Sequence, residues 1–214
     1  MRYLIVCGGK IDKEFGLNEI KTDGIDAIIA ADSGMDFLYE NGVTPDIIVG
    51  DFDSTTTNAL EYFERKGQTE IRRLNPIKDD TDTEYAIRLA ISEGARSIVL
   101  LGATGSRIDH VLGNISLLGI GLESGTDISI IDTNNRIRMA DKPVTIEKSA
   151  QYGRFVSLIA LSDDNEVSLK GFKYPVTDYS FDRFTSLGIS NEIVDDHALI
   201  DIHRGKFIII ESKD

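Results

Sequence analysis

Ile47-Ile48-Val49-Gly50-Asp51-Phe52-Asp53-Ser54 is an apolar run that stops at a glycine and then presents two aspartates one residue apart. A continuous run of this kind predicts a strand buried on both faces, as in a parallel sheet. It sets Asp51 and Asp53 at the strand's C-terminal edge, where open α/β sheets bind ligands. A second acidic cluster, Lys78-Asp79-Asp80-Thr81-Asp82-Thr83-Glu84, precedes a helical pattern, with Thr81 and Glu84 at capping-box spacing. Carboxylates this close repel unless a cation or proton is shared between them, and hard cations such as magnesium take carboxylate and then phosphate oxygens. The two clusters together predict one divalent-metal site, with Lys78 beside it as a partner for phosphate.

Working outward, apolar runs at residues 3–7, 26–31 and 97–101 end respectively in Gly8-Gly9, in Asp32-Ser33-Gly34 and in Gly102-Ala103-Thr104-Gly105-Ser106-Arg107. Helical stretches are expected from about Met35 to Asn41, from Thr56 to Lys66, over residues 85–93 and from near Asp109. Strand and helix alternate, so residues up to about 132 predict a doubly wound, mainly parallel α/β sheet. Beyond residue 125 the pattern changes to short runs of period-two alternation at 144–147, 155–161, 166–169 and 198–203, and a turn at Arg204-Gly205-Lys206 leads into 207–210. That is an all-β segment. The boundary falls near Asp141-Lys142-Pro143, and the chain divides into 1–137 and 138–214.

The glycine-rich stretch Gly102–Arg107 follows a strand and precedes a helix, so its amides are placed for an anion, and Arg107 suits phosphate. It matches neither the dinucleotide fingerprint nor the P-loop. His110 and Asn114 share one face of the following helix. In the β segment, Tyr179, Phe181 and Phe184 are candidates to stack on a flat ligand.

With 23 basic and 36 acidic residues the formal charge is −13, and no basic run exceeds two residues, which disfavours nucleic acid and anionic membrane as partners. An anionic nucleotide remains compatible if metal ions bridge it to the carboxylates. Cys7 is the single cysteine, so no internal disulfide forms, and a reducing, cytoplasmic setting is expected. No apolar run reaches the roughly 18 residues of a membrane span, so a soluble protein is expected.

Taken together, Gly50–Ser54, Asp79–Asp82, Gly102–His110 and Ser190-Asn191-Glu192 resemble the thiamine pyrophosphokinase family over essentially the whole chain. The resemblance implies an N-terminal α/β catalytic domain that binds ATP and magnesium, a C-terminal β-sandwich that helps bind thiamine, and a homodimer with active sites between subunits. It implies that ATP and thiamine give AMP and thiamine diphosphate. Carried to this sequence, it makes Asp51, Asp53, Asp79 and Asp82 the magnesium-binding and catalytic carboxylates, with Asp80 a neighbour. Asp32, Ser33, Gly34, Gly102, Ala103, Thr104, Gly105, Ser106, Arg107 and His110 match nucleotide-handling loops, and Ser190 and Asn191 match the thiamine side. Ile77 stands where many relatives carry another aspartate, and the chain has no tryptophan. Two rivals set against this reading are a haloacid-dehalogenase-type phosphatase, whose D-x-D-x-T motif Asp51 to Thr55 mimics, and a non-enzymatic nucleotide- or metal-binding module.

Overall fold

The structure is a computed structural model that describes residues 1–52, 58–75 and 80–214. It forms two compact units, Met1–Thr133 and Asn134–Asp214.

The first unit runs β1 (Arg2–Val6), α1 (Lys13–Ile20), β2 (Ala27–Ala31), α2 (Gly34–Glu40), β3 (Ile47–Gly50), α3 (Ala59–Lys66), β4 (Glu70–Arg73), α4 (Asp82–Ser92), β5 (Ser97–Leu101), α5 (Ile108–Ser124) and β6 (Asp127–Ile131). Its strands pair in parallel in the order β6-β5-β1-β2-β3-β4. β1 is central because Leu4, Ile5 and Val6 are almost wholly buried, with Ile5 opposite Ile29 on one side and Leu100 on the other. Each such side chain contributes roughly 1.5–3 kcal/mol by leaving water. Period-two alternation divides the strands between two helical layers. Leu4, Val6, Ala30 and Ile48 pack with Met35 and Leu38 of α2 and Phe63 of α3. The other face carries α4, whose Ala86, Ile87, Leu89 and Ala90 are buried. Thr81 caps α4 as its spacing predicts, its Oγ1 accepting from the Glu84 amide at 3.2 Å, while the Glu84 carboxylate accepts from Arg88. The exposed edge strand, β4, is charged along Glu70, Arg72 and Arg73, which discourages pairing with a further chain.

α1 is absent from the sequence expectation. Gly16 breaks its pattern, yet that glycine is buried where a side chain would press on Ile11 and Phe37. The Asp12 carboxylate starts the helix by accepting from the Phe15 amide at 2.9 Å.

The second unit contains β7 (Asn135–Ala140), β8 (Val144–Glu147), β9 (Phe155–Ala160), β10 (Glu166–Lys170), β11 (Val176–Tyr179), β12 (Asn191–Glu192), β13 (His197–Arg204) and β14 (Phe207–Ser212). Two antiparallel layers, β12-β9-β14-β7 and β11-β10-β13-β8, form the sandwich. Val156, Leu158, Phe207 and Ile209 from one layer meet Val167, Leu169, Ile200 and Ile202 from the other. β7 escaped the sequence reading because two of its positions are arginines. Arg136 and Arg138 both pair with Glu211 of β14, which is wholly buried.

Candidate active site

Strand order decides where a ligand fits. The chain builds outward from β1 to β4 and then returns to the opposite side of β1 with β5, so the order reverses between β1 and β5. The crevice outside the carboxyl ends of those strands is the binding position of such sheets. A cleft of about 1010 Å³ lies there, lined by the loop after β1, the loop after β5, Asp32 and Ser33 after β2, and the first turns of α4 and α5. The two loops touch: the Gly9 amide donates to Gly102 O at 2.8 Å, and a side chain on Gly9 would strike the carbonyls of Gly102 and Thr104. Gly102 adopts φ +71°, a conformation other residues rarely take.

Three carboxylates converge beside this cleft. Asp32 follows β2 in a left-handed conformation (φ +49°), its amide donating to Val49 O at 2.8 Å. Asp51 follows β3, and the next residue, Phe52, is also left-handed (φ +65°) and buried. Asp82 opens α4. One carboxylate oxygen from each of Asp32, Asp51 and Asp82 lies within 4.8 Å of the others, and all three residues are half-buried. An octahedral magnesium ion binds oxygens at 2.0–2.1 Å, so its ligands stand about 3–4 Å apart. Small side-chain rotations would bring these oxygens to that spacing, and their mutual repulsion opposes it until a cation is shared.

Asp32, which the family motif groups with the nucleotide-handling residues, lines the cleft and also stands beside Asp51 and Asp82, because β2 lies beside β3 and both end at the same edge. Like Asp51 it directly follows a buried apolar run, but only strand order brings the two together. Asp53, Lys78 and Asp79 lie outside the described residues, and Asp80 is exposed ahead of α4.

The glycine-rich loop is held from behind. Thr104 Oγ1 donates to Asp132 Oδ2 at 2.9 Å, and Asn114 Nδ2 donates to Ala103 O at 2.8 Å. Gly102 to Arg107, Ser33 and His110 all line the cleft. Gly34 instead lies beneath it, buried at the start of α2 where a side chain would meet Val6 O. Arg107 does not project alone. Its Nη2 and Nε donate to Asp109 at 2.6 and 3.2 Å, and this pairing holds the Asp109 carboxyl at about 2. Cys7 also lines the cleft, and burial pushes its thiol up to about 11, so it is no nucleophile at neutral pH. Lys10 and the Gly8-Gly9 turn were not singled out from sequence, although a Gly-Gly pair ending the first buried strand was a legible sign.

In the second unit, Ser190 is exposed at φ +61°, its amide donating to Ser157 Oγ at 3.0 Å. Asn191 is buried and spends its amide on the fold: Nδ2 donates to Tyr174 O at 2.9 Å, and Oδ1 accepts from the Tyr174 and Glu192 amides. Of the three aromatic candidates, Phe181 is unavailable for stacking because it is core, packed edge-on between Tyr179 and Phe207. Phe184 is 96% exposed and Tyr179 is partly so. Among the described residues, no helix is long and apolar enough to cross a membrane.

Comparison with known proteins adds an independent finding. The thiamin pyrophosphokinase catalytic domain model matches residues 21–130, and the thiamin pyrophosphokinase vitamin B1 binding domain model matches 143–207. A thiamine pyrophosphokinase of Bacillus subtilis (strain 168) is 35% identical over 188 residues, 87% of each protein. The crystal structure of thiamine pyrophosphokinase from Bacillus subtilis superposes with a TM-score of 0.89 at 32% identity, covering 100% of both chains. That of Geobacillus thermodenitrificans gives 0.86 at 29%, covering 100% of this chain and 98% of the other.

Proposed function

This chain belongs to the thiamin pyrophosphokinase family, and from that premise we propose how its residues carry the family's reaction, transfer of the diphosphoryl group of ATP to the hydroxyl of thiamine. The phosphatase alternative is not favoured, since both family models and the relatives point to the kinase. The thiamine hydroxyl oxygen bonds to the β-phosphorus, the bond from that phosphorus to the oxygen bridging the α-phosphate breaks, and its electron pair leaves with AMP.

The observation that carries the reading is the convergence of Asp32, Asp51 and Asp82 beside the glycine-lined cleft. This all-oxygen set fits magnesium, which would neutralise charge on the phosphates of ATP. Asp53 and Asp79, carried from the family motif, complete the proposed ligand set. The chain's own groups do the rest. Amides of Gly102 to Ser106 and the start of α5 cradle phosphate oxygens. A carboxylate of the acidic set accepts the proton that thiamine's hydroxyl loses. Arg107 exchanges Asp109 for phosphate, and His110 and Ser33 flank the nucleotide.

Residues 1–137 act as the ATP- and magnesium-binding catalytic domain and 138–214 as the thiamine-binding domain, a division supported by the span matched to vitamin B1 binding. Ser190 meets thiamine, and Asn191 shapes the loop that presents it. The acidic character of the chain favours thiamine's positive thiazolium. The active protein is a cytoplasmic homodimer with active sites between subunits. In support, Ile108 and Leu112 of α5 are 67% and 60% exposed.

Phosphorus NMR of ATP and magnesium with the protein tests the reaction. AMP and thiamine diphosphate should appear together only when thiamine is present. Thiamine-independent free phosphate would point to a phosphatase, and ATP binding without turnover would point to a binding module.

A further inference from the structure

We propose that Lys10 is a catalytic cation of this reaction, placed on the phosphate that leaves with AMP. The inference rests on the reading that the β1/β5 cleft takes ATP. Across the sheet edge the strand ends follow one another as Asp51 after β3, Asp32 after β2, Gly8 to Lys10 after β1, and Gly102 to Arg107 after β5. Neighbouring strands lie about 4.8 Å apart, so a polyphosphate reaching from the carboxylates to the glycine-rich loop spans roughly 10 Å and crosses the β1 loop. That loop is fixed where the crossing occurs. Gly9 is hydrogen-bonded to Gly102, and the Lys10 amide nitrogen lies 3.8 Å from where a Cβ on Gly105 would stand.

Charge singles out Lys10 at this position. Among the described residues, the cleft lining carries Asp32, Asp82, Glu84 and Asp109 against two full cations, Lys10 and Arg107. Arg107 is forked onto Asp109, whereas Lys10 makes no ion pair among the described residues. A cation with no carboxylate partner among the described residues, on the rim of a cleft whose described charged groups are mostly acidic, is matched to a phosphate oxygen. The metal carboxylates occupy the β2 and β3 side, so Lys10 meets the part of the chain toward the β5 loop. When the bond between the β-phosphorus and the bridging oxygen breaks, negative charge grows on the departing AMP, and an ammonium there lowers the barrier more than it tightens binding.

The test compares Lys10→Met, Lys10→Gln and Lys10→Arg with the wild type in steady-state AMP release from magnesium-ATP and thiamine. The expected loss in kcat for Met and Gln is about 100-fold, the scale of removing one preorganised charge-stabilising group. KM for ATP should rise by less than about tenfold, since ground-state contact is the smaller part of the effect. KM for thiamine and the melting temperature should hold, and Arg should recover at least about a tenth of wild-type kcat by restoring the charge. Lys10→Met turning over within about threefold of an active wild type, or Arg as poor as Met, overturns the assignment to Lys10 alone. A wild type that forms no AMP from ATP and thiamine overturns the reading of the cleft and the inference with it.

Discussion

Both units bury or half-bury acidic and amide side chains, and they use them in opposite ways. In the second unit Glu211 and Asn165 are satisfied within the fold. Glu211 accepts from Arg136, Arg138 and the Tyr152 amide, and Asn165 bridges the Phe181 amide and carbonyl at 2.8 and 2.9 Å. In the first unit Asp32, Asp51 and Asp82 are turned toward one another at a sheet edge. A fold seeking only stability would not bring like charges together. Polar groups that close a network stabilise the fold, whereas carboxylates gathered at a sheet edge carry a repulsion that a bound cation would relieve.

That contrast breaks most visibly at Asp51. Asp51→Asn should lower kcat by about three orders of magnitude, or about 4 kcal/mol in barrier. It should leave the metal-free melting temperature unchanged or raised, because repulsion is relieved. A variant that melts lower while retaining turnover would make Asp51 a structural residue. Glu211→Gln should do the reverse, destabilising the fold by about 3 kcal/mol because two arginines lose their shared anion. Urea unfolding measures it, and kcat per folded molecule should change little. The smallest effect concerns Cys7. Its thiol is raised from an ordinary 9.0 to about 11, so the neutral form is favoured in the folded state. The stability this gives is complete below pH 9 and is lost as pH rises toward 11, by about 1.4 kcal/mol at pH 10. Cys7→Ala should therefore lose less stability between pH 8 and 10 than the wild type in paired urea titrations; parallel declines would remove Cys7 as the cause.

Legibility in the sequence followed the same division. The parallel strands announced themselves because strands buried on both faces are unbroken apolar runs, as at Leu4 to Val6 and Ile98 to Leu101. Their ends then located Asp51 and the Gly102–Arg107 loop, and the Thr81 cap, with Asp82 next to it, fell where its spacing set it. What stayed hidden depends on distant partners. Asp32 joins the carboxylates only because β2 lies between β1 and β3, a fact of strand order rather than of local pattern. Arg136 and Arg138 obscured β7 because Glu211, far along the chain, neutralises them. Phe181 looked available for a ligand because sequence cannot tell a loop aromatic in solvent from one folded onto Phe207. Lys10 was passed over because a lone lysine gains meaning only from the loops around it.

If Asp32, Asp51 and Asp82 hold one metal ion, as proposed, Asp32 is the most telling position, because only the folded sheet brings it there. Binding of manganese in place of magnesium, followed by electron paramagnetic resonance in the wild type and in Asp32→Asn, measures this directly. Loss of one charged oxygen ligand should weaken binding at least about tenfold while the melting temperature holds. Equal manganese affinity in the two proteins would contradict the claim.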